Sequence, residues 1–305
     1  MKYLLISPCR NEAEYMTETL ESVIAQTVKP AKWIIVNDGS TDNTSIILNE
    51  YKTKYNWINV VDVEDRGKRN VGPGVVQAFY EGLNSTDLND YEYLCKLDLD
   101  LKLPPRYFEI LMKRMQENPR IGTCSGKPYM KISDGTLVAE NCDDEMSVGA
   151  SKFYRTKCFL EIEGFMQKVM WDAIDCHRCR LYGWIACSWD APELRFIHLR
   201  PMGSSQKGII TGRIRHGYGQ YYMGTGLAYI TASAVKRLVH PPYFIGGVAT
   251  MWGYLKSMLA REERLPDKSL RRFIRHYQLL ALIMGKKRAV KKINNEQLPV
   301  WNKKL

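Results

Sequence analysis

Apolar runs of strand length alternate with helical patterns through the first 130 residues, and this alternation limits the possible folds more than any other feature of the chain. Strands are predicted at residues 3–7, 33–36, 58–63 and 93–97. After the first of them, Met16, Leu20 and Val23 recur at the helical period. This succession predicts an α/β fold with a doubly wound, mostly parallel sheet, whose ligands bind at the carboxyl ends of the strands.

Polar loops follow the first three predicted strands. They contain Pro8, Arg10 and Glu12 after the first strand, Asp38, Gly39 and Ser40 after the second, and a basic, glycine-rich turn at 66–74 after the third. Parallel strands end at the same edge of a sheet, so the three loops are predicted to share that edge. The second loop also has the composition of an ordinary helix-capping turn, and the third that of a solvated surface loop.

The fourth predicted strand ends in two aspartates, Asp98 and Asp100, with one residue between them. Side chains alternate along a strand, so both carboxylates are predicted on the same side of its end. Two like charges in one place favour a bound cation, and carboxylate oxygens suit Mg²⁺ or Mn²⁺, which commonly also hold substrate phosphates. A short acidic pair can instead cap a following helix.

Composition sets the broad class of the protein. The chain has 305 residues, 45% of them hydrophobic, which is enough for a sizeable core. The first residues do not form a signal peptide, and no stretch reaches the roughly 18 apolar residues that a membrane span requires. The eight cysteines have no framework spacing, which favours reduced thiols. These features predict a cytoplasmic protein.

Positive charge is concentrated at the end of the chain. The net charge is +11, and residues 256–305 hold fourteen Lys and Arg against four Asp and Glu, a balance of +10. The remainder is almost neutral, which argues against nucleic acid as a partner of the main domain. Leu270, Phe273, Ile274 and Tyr277 fall at helical spacing beside these cations, a composition typical of a helix lying on an anionic membrane surface. Alternatively, this apolar face packs on the main domain and the charges are solvated.

The segment LISPCRNEAEYMTETLESVIAQTVKPAKWIIVNDGSTDNT, the turn at 66–74 and LDLD at 97–100 together resemble the nucleotide-sugar-binding half of the family 2 glycosyltransferases, which have the GT-A fold. The resemblance covers about residues 1–200. It implies that Pro8, Arg10, Glu12, Asp38, Gly39 and Ser40 hold the nucleobase and ribose, and that Lys68 and Asn70 approach the base and diphosphate. It further implies Asp100 as the metal ligand, Asp98 nearer the ribose or a coordinating water, and His198 as a third metal ligand.

The same resemblance directs attention to the sequence Trp171-Asp172-Ala173-Ile174-Asp175. In this family an acidic pair at a helix N-terminus precedes the acceptor site, whereas here Trp replaces the first acid. Transfer with inversion needs a carboxylate that takes the proton of the attacking hydroxyl. Asp172 is the predicted base and Asp175 the competing one. Asp172 as a plain helix N-cap is the structural alternative.

Taken together, the sequence predicts a catalytic GT-A domain at residues 1–240, with a donor half at about 1–130 and an acceptor half at about 131–240, and a basic helical region at 241–305. The predicted function is metal-dependent, inverting transfer from a UDP- or GDP-sugar to a hydroxyl of a lipid-linked or cell-surface glycan. The predicted location is peripheral, on the cytoplasmic face of an anionic membrane. The alternatives are a polyprenyl-phosphate glycosyltransferase and a non-catalytic nucleotide-sugar-binding protein.

Overall fold

A computed structural model describes residues 1–65, 72–140, 142–200, 208–239 and 243–304. The chain divides into two compact units, which we call the sheet unit and the helical unit. The sheet unit comprises Met1–Gln167 and Trp184–Met202, and the helical unit comprises Lys168–Gly183 and Gly203–Leu305. The change of unit near residue 203 precedes the domain boundary predicted at 240, and the division into catalytic and C-terminal domains stays a prediction.

All of the strands that the structure describes lie in the sheet unit. They are β1 (Tyr3–Cys9), β2 (Lys32–Asp38), β3 (Ile58–Val63), β4 (Tyr93–Leu97), β5 (Leu101–Lys102), β6 (Ile121–Ser125), β7 (Lys127–Lys131), β8 (Leu137–Ala139), β9 (Ser151–Arg155), β10 (Ile185–Ser188) and β11 (Arg195–His198). The helices of this unit are α1 (Met16–Ile24), α2 (Thr44–Lys54), α3 (Pro73–Leu83), α4 (Tyr107–Glu117) and α5 (Thr156–Glu161).

The main sheet has seven strands in the order β10-β6-β9-β4-β1-β2-β3. Strands β4, β1, β2 and β3 are parallel to their neighbours within this group, whereas β9 runs antiparallel to both β4 and β6. A second sheet has the order β5-β11-β7-β8. The predicted α/β architecture with a mostly parallel sheet is therefore confirmed. The four strands predicted from periodicity form one half of this sheet, from β4 in the middle to β3 at the edge.

The central strands are buried on both faces, which explains why they appear in the sequence as nearly continuous apolar runs. Every residue of β4 is buried, and Tyr3, Trp33 and Phe153 have no exposed surface. Their rings pack with those of Phe108 and Tyr93 in one core cluster. Burial of this apolar surface supplies the main driving force for the sheet unit and fixes where its strands end.

The helical unit contains the remaining helices. These are α6 (Trp171–Leu181), α7 (Ile209–Tyr222), α8 (Leu227–Leu238), α9 (Ile245–Leu259), α10 (Lys268–Met284), α11 (Lys286–Glu296) and α12 (Leu298–Asn302). Helices α7 and α9 approach each other closely at two glycines. A Cβ atom at Gly217 would lie 2.1 Å from the Thr250 carbonyl oxygen, and one at Gly253 would lie 2.1 Å from that of Ile214. Only glycine permits this contact, which fixes how α9 faces α7.

The apolar face of α10 is packed inside the helical unit. Asp267 caps the helix by accepting hydrogen bonds from the backbone N–H groups of Ser269 and Leu270. Leu270, Phe273, Ile274 and Tyr277 are all buried, and α10 contacts α6, α8 and α11. The prediction that this face lies on a membrane is therefore wrong, because the face is already covered by protein. Across the residues that the structure describes, none of the helices combines the length and apolarity of a membrane span.

Candidate active site

Two polar loops meet at the carboxyl edge of the main sheet, as the sequence predicted. The loop after β1 approaches the loop after β2 through backbone donors. The Asn11 N–H donates to Ser40 Oγ at 3.0 Å, and the Glu12 N–H donates to Thr44 Oγ1 at 3.0 Å. Pro8 lies within β1, in register with Val36 of β2. The two loops therefore form one polar surface at the edge.

Arg10 joins this surface to the end of β3. Its guanidinium donates from Nη1 to the Asp38 carbonyl oxygen and from Nη2 to Asp65 Oδ1, both at 2.6 Å. Gly39 adopts a φ of +64°, and a Cβ at this position would lie 2.5 Å from Asp65 Cα. A side chain at residue 39 would therefore clash, so this turn requires glycine. Lys68 and Asn70 lie outside the described residues.

Asp98 and Asp100 follow β4 but occupy different surroundings. The Lys96 ammonium donates to Asp98 and also to the Gly149 carbonyl oxygen at 2.9 Å. Burial raises the pKa of the Asp98 carboxyl; Lys96 opposes this shift and the Asp100 charge adds to it. The Asp98 side chain is still 34% exposed, so water screens part of these interactions, whereas that of Asp100 is only 7% exposed.

Arg200 connects three separate stretches of the chain at this edge. Its Nε donates to Asp100 Oδ2 and its Nη2 donates to Glu12 Oε1, each at 2.7 Å, and the guanidinium lies over the Tyr15 ring. The predictions from sequence did not include Arg200. The one feature of the sequence that could have indicated Arg200 is its position two residues after His198. Arg200 balances the charge of two carboxylates that are almost fully buried.

His198, at the end of β11, lies between two carboxylates. Its Nδ1 is 2.7 Å from Glu140 Oε2, and its Nε2 is 3.8 Å from Asp100 Oδ1. Burial by itself would lower the pKa of His198, but the hydrogen bond to Glu140 and the nearby Asp100 charge outweigh that effect and raise it. With Nδ1–H donating to Glu140, the Nε2 atom is directed toward Asp100. Glu140 was also missed from sequence, where nothing distinguishes it.

The pair formed by Asp100 and His198 fits a divalent cation. Asp100 Oδ1 is buried and accepts no hydrogen bond from any residue that the structure describes. It faces an imidazole nitrogen whose other ring nitrogen is oriented by a carboxylate, as is usual for histidines that bind metals. Within the described ranges, no three His, Cys, Asp or Glu side chains form a ready metal cluster. Phosphate and water oxygens would therefore complete the coordination, which is typical of Mg²⁺ and Mn²⁺ sites.

Asp172 and Asp175 lie on α6 in the helical unit. Met170, with a φ of 65°, is the N-cap of this helix, so Asp172 stands in the first turn and is not the cap. The Asp172 side chain is partly exposed. Asp175 is 1% exposed, and its Oδ1 accepts a hydrogen bond from the Cys176 N–H at 2.6 Å. Of the two predicted bases, Asp172 is the more accessible.

The chain belongs to glycosyl transferase family 2, whose model matches residues 5–159. The predicted family is therefore confirmed. Among individual proteins, the chain is similar to the poly-beta-1,6-N-acetyl-D-glucosamine synthase of Staphylococcus epidermidis, with 33% identity over 130 residues. This match covers 42% of the chain and 29% of the synthase, so less than a third of that protein is represented.

Solved structures show the same fold at low sequence identity. The S. aureus TarS 1–349 complex with UDP-GlcNAc has a TM-score of 0.53 and 14% identity, with 97% of this chain and 91% of that one covered. The mannosyltransferase PcManGT from Pyrobaculum calidifontis, in complex with GDP-Man and Mn²⁺, has a TM-score of 0.52 and 16% identity, with coverage of 99% and 86%. The chain therefore has the GT-A fold.

Proposed function

We propose that this glycosyltransferase uses a divalent cation and moves a sugar, with inversion, from a UDP- or GDP-sugar to a hydroxyl of a lipid-linked or cell-surface glycan. The observation that carries the proposal is the pairing of Asp100 Oδ1 with His198 Nε2 at the carboxyl edge of the sheet. A buried carboxylate oxygen that accepts no hydrogen bond from the described residues is costly unless a cation approaches it.

In this proposal the nucleoside of the donor lies against the two joined loops. Glu12, Asp38, Gly39, Ser40, Arg10 and Pro8 would hold the base and ribose, with Lys68 and Asn70 near the diphosphate. The connection of the first loop to the second by Arg10 supports this role, because a preorganised polar surface loses little entropy on binding. UDP and GDP are both considered because TarS was solved with UDP-GlcNAc and PcManGT with GDP-Man.

Asp100 and His198 would hold the Mn²⁺ or Mg²⁺ ion, and Glu140 would keep the imidazole in the required orientation. When bound, such an ion neutralises charge that develops on the departing nucleoside diphosphate. Asp98 would lie nearer the ribose or a coordinating water, with its charge balanced by Lys96. Arg200 would hold Asp100 in position and balance its charge until the ion is present.

The proton-accepting role is proposed for Asp172. The acceptor hydroxyl oxygen forms a bond to the anomeric carbon as the bond to the diphosphate oxygen breaks on the opposite face, and its proton passes to the Asp172 carboxylate. Asp175 is the second candidate, and its burial makes it less suited to meet a substrate. A polyprenyl-phosphate acceptor needs no base, so the importance of Asp172 distinguishes that alternative from the hydroxyl acceptor.

The proposed location is peripheral, on the cytoplasmic face of an anionic membrane, where a lipid-linked acceptor would lie. The strongly basic segment at 256–305 supports this placement, since each Lys or Arg near an anionic leaflet contributes roughly 1 kcal/mol. Exposed cations of α10 and α11 include Arg272, Lys287, Arg288 and Lys291. No nucleic-acid partner is proposed.

The test is a panel of UDP- and GDP-sugars incubated with the protein and Mn²⁺ or Mg²⁺, with slow donor hydrolysis as the readout. We expect one donor to be hydrolysed only when metal is present. In Asp100→Asn this hydrolysis should fall at least ~1,000-fold, because a bound ion stabilises the transition state by several kcal/mol. Asp134→Asn, in the exposed turn between β7 and β8, is the matched control and should retain full activity. Undiminished hydrolysis in chelator would refute the metal-dependent mechanism.

A further inference from the structure

One face of α9 exposes an apolar stripe, which is contiguous from Ile245 to Trp252 and is interrupted by Lys256 before Leu259. Ile245, Val248, Trp252 and Leu259 are 51%, 63%, 57% and 76% exposed. Their spacing of three, four and seven residues places them along one side of the helix. Exposed apolar residues are ordinary when they are scattered singly, whereas a contiguous row of this size marks an interaction surface.

The packing of the helical unit holds this stripe outward. On the opposite side of α9, Thr250, Gly253 and Ser257 are buried, and Gly253 meets the backbone of α7. A rotation of α9 that buried Trp252 would break this contact, which depends on the absence of a Cβ atom. The exposed stripe is therefore a fixed feature of the packed helix.

The apolar surface continues into the neighbouring segments. Tyr243 and Phe244, just before α9, are 61% and 70% exposed, and Val235 and Val239, at the end of α8, are 57% and 68% exposed. Aromatic residues are enriched where one side of a protein meets the boundary between lipid and water. We call the stripe of α9 together with Tyr243 and Phe244 the α9 face.

The charged residues of α8 and α9 are all cations, and the first acidic residues beyond α9 are Glu262 and Glu263, just after Arg261. The sequence contains no Asp or Glu between Glu193 and Glu262, whereas the same stretch contains nine Lys and Arg. Lys236, Lys256 and Arg261 are exposed near the apolar residues in sequence. A partner for this surface must therefore be apolar in its interior and anionic at its boundary, which describes the headgroup region of an anionic bilayer.

We propose that the α9 face inserts into the headgroup and upper acyl region of an anionic membrane and holds the enzyme there. The inference refines the proposed action on a lipid-linked acceptor by assigning the contact to this face, and not to the buried face of α10. A second copy of the chain fits less well, because a symmetric contact through α9 would bring Lys256 of both copies together, and α9 itself contains no acidic residue to pair with it.

The experiment is flotation of the full chain with phosphatidylcholine vesicles, with and without phosphatidylglycerol. The test variant Val248→Ser/Trp252→Ser changes two exposed residues four positions apart. The control Leu279→Ser/Ile283→Ser makes the same change at two residues of α10 with the same spacing, which are 55% and 79% exposed. All four side chains are exposed, so both variants should fold.

We expect the wild type and the control to float with anionic vesicles, and the test variant to bind at least ~10-fold more weakly, given the free energy of burying two large apolar side chains. Brominated lipids should quench the fluorescence of the wild type more than that of Trp252→Phe. Equal flotation of the test variant would overturn the inference. Dimerisation that requires Val248 and Trp252, without vesicle binding, would also overturn the inference. It would show that a second copy of the chain covers the α9 face.

Donor hydrolysis without vesicles separates this inference from the proposed function. The test variant should hydrolyse the donor at the wild-type rate, because the α9 face contains none of the proposed catalytic residues. Vesicle binding without donor hydrolysis in the wild type would leave the membrane contact intact and refute the enzymatic proposal. Hydrolysis without vesicle binding would refute the membrane contact alone.

Discussion

The sheet unit and the helical unit contain different kinds of buried titratable group. At the edge of the sheet unit, Asp100 and Glu12 are buried carboxylates, and Arg200 forms an ion pair with each of them. In the helical unit, burial lowers the pKa of both His177 and His216 to about 3, so these imidazoles are neutral at physiological pH. Arg200 balances the two carboxylates of the sheet unit, whereas burial removes the charge of the two imidazoles of the helical unit.

The largest effect is expected from a change at Arg200, the cation that balances Asp100 and Glu12 at the edge of the sheet unit. Arg200→Gln should lower the free energy of unfolding by ~3 kcal/mol or more, because it leaves two buried carboxylates without their cation. Arg195→Gln is the matched control. Its partner is Asp190, both side chains are more than a third exposed, and the loss should be at most ~1 kcal/mol.

Denaturant titration of the two variants measures this difference. Mn²⁺ should restore part of the stability of Arg200→Gln, because an ion at Asp100 replaces the missing positive charge. An equal decrease in the free energy of unfolding of Arg200→Gln and Arg195→Gln would show that Arg200 stabilises the protein no more than a surface ion pair does.

The second prediction concerns Asp172, the proposed base on α6. Asp172→Asn should lower turnover with a hydroxyl acceptor by ~100-fold while the donor KM barely changes, since a general base acts on the chemical step. The measurement is steady-state kinetics with the donor identified by the panel. A turnover of Asp172→Asn within a few-fold of the wild type would indicate that Asp175 is the base, or that the acceptor is a polyprenyl phosphate, which needs no base.

The smallest effect concerns the neutral histidines. The ordinary pKa of histidine is 6.5, and that of His177 falls to about 3 because of burial and, second, the Arg180 charge. Below pH 6.5 the unfolded chain binds a proton that the folded chain does not. The free energy of unfolding should therefore decrease by about 1.4 kcal/mol per pH unit for this residue as the pH falls from 6.5 toward 3.

Urea denaturation at about pH 7.5 and about pH 5.5 tests this prediction, because these two values lie on either side of the histidine pKa in the unfolded chain. His177→Gln should show a smaller loss on acidification than the wild type, although His216 adds a change in the same direction. His276→Gln is the control, because His276 is exposed and pairs with Glu296 at the surface. An unchanged pH dependence in His177→Gln would contradict the neutral, buried imidazole.

The two units also differ in how much of them the sequence predicted. The period of the apolar residues identified β1 to β4, and the ends of these strands located Asp38, Asp98 and Asp100, because parallel strands share one carboxyl edge. Arg200 and Glu140 were missed. Arg200 pairs with Asp100 and Glu12, which lie 100 and 188 positions earlier in the chain. Glu140 lies 58 positions before its partner His198. Periodicity describes local structure and contains no information on such distant pairs.

In the helical unit, the pattern of α10 correctly predicted an amphipathic helix but not what covers its apolar face. Leu270, Phe273 and Ile274 would have the same spacing against a membrane or against α6 and α11. The apolar residues of α9 are interrupted by Gly246, Gly247 and Gly253, and nothing in their spacing indicates that Gly247 and Gly253 meet neighbouring helices while Trp252 faces outward. Which face is buried depends on neighbours far along the chain.

Calorimetric titration of UDP and GDP into the wild type and Asp100→Asn, with Mn²⁺ and with chelator, tests directly whether nucleotide binding depends on a cation at Asp100. If the edge of the sheet unit binds a nucleotide through a cation held by Asp100 and His198, one nucleotide should bind the wild type only in the presence of Mn²⁺. Asp100→Asn should lose this metal-dependent binding while remaining folded. Nucleotide binding to the wild type that is as tight in chelator as in Mn²⁺, or Mn²⁺-dependent binding that is unchanged in Asp100→Asn, would contradict a cation held by Asp100 and His198.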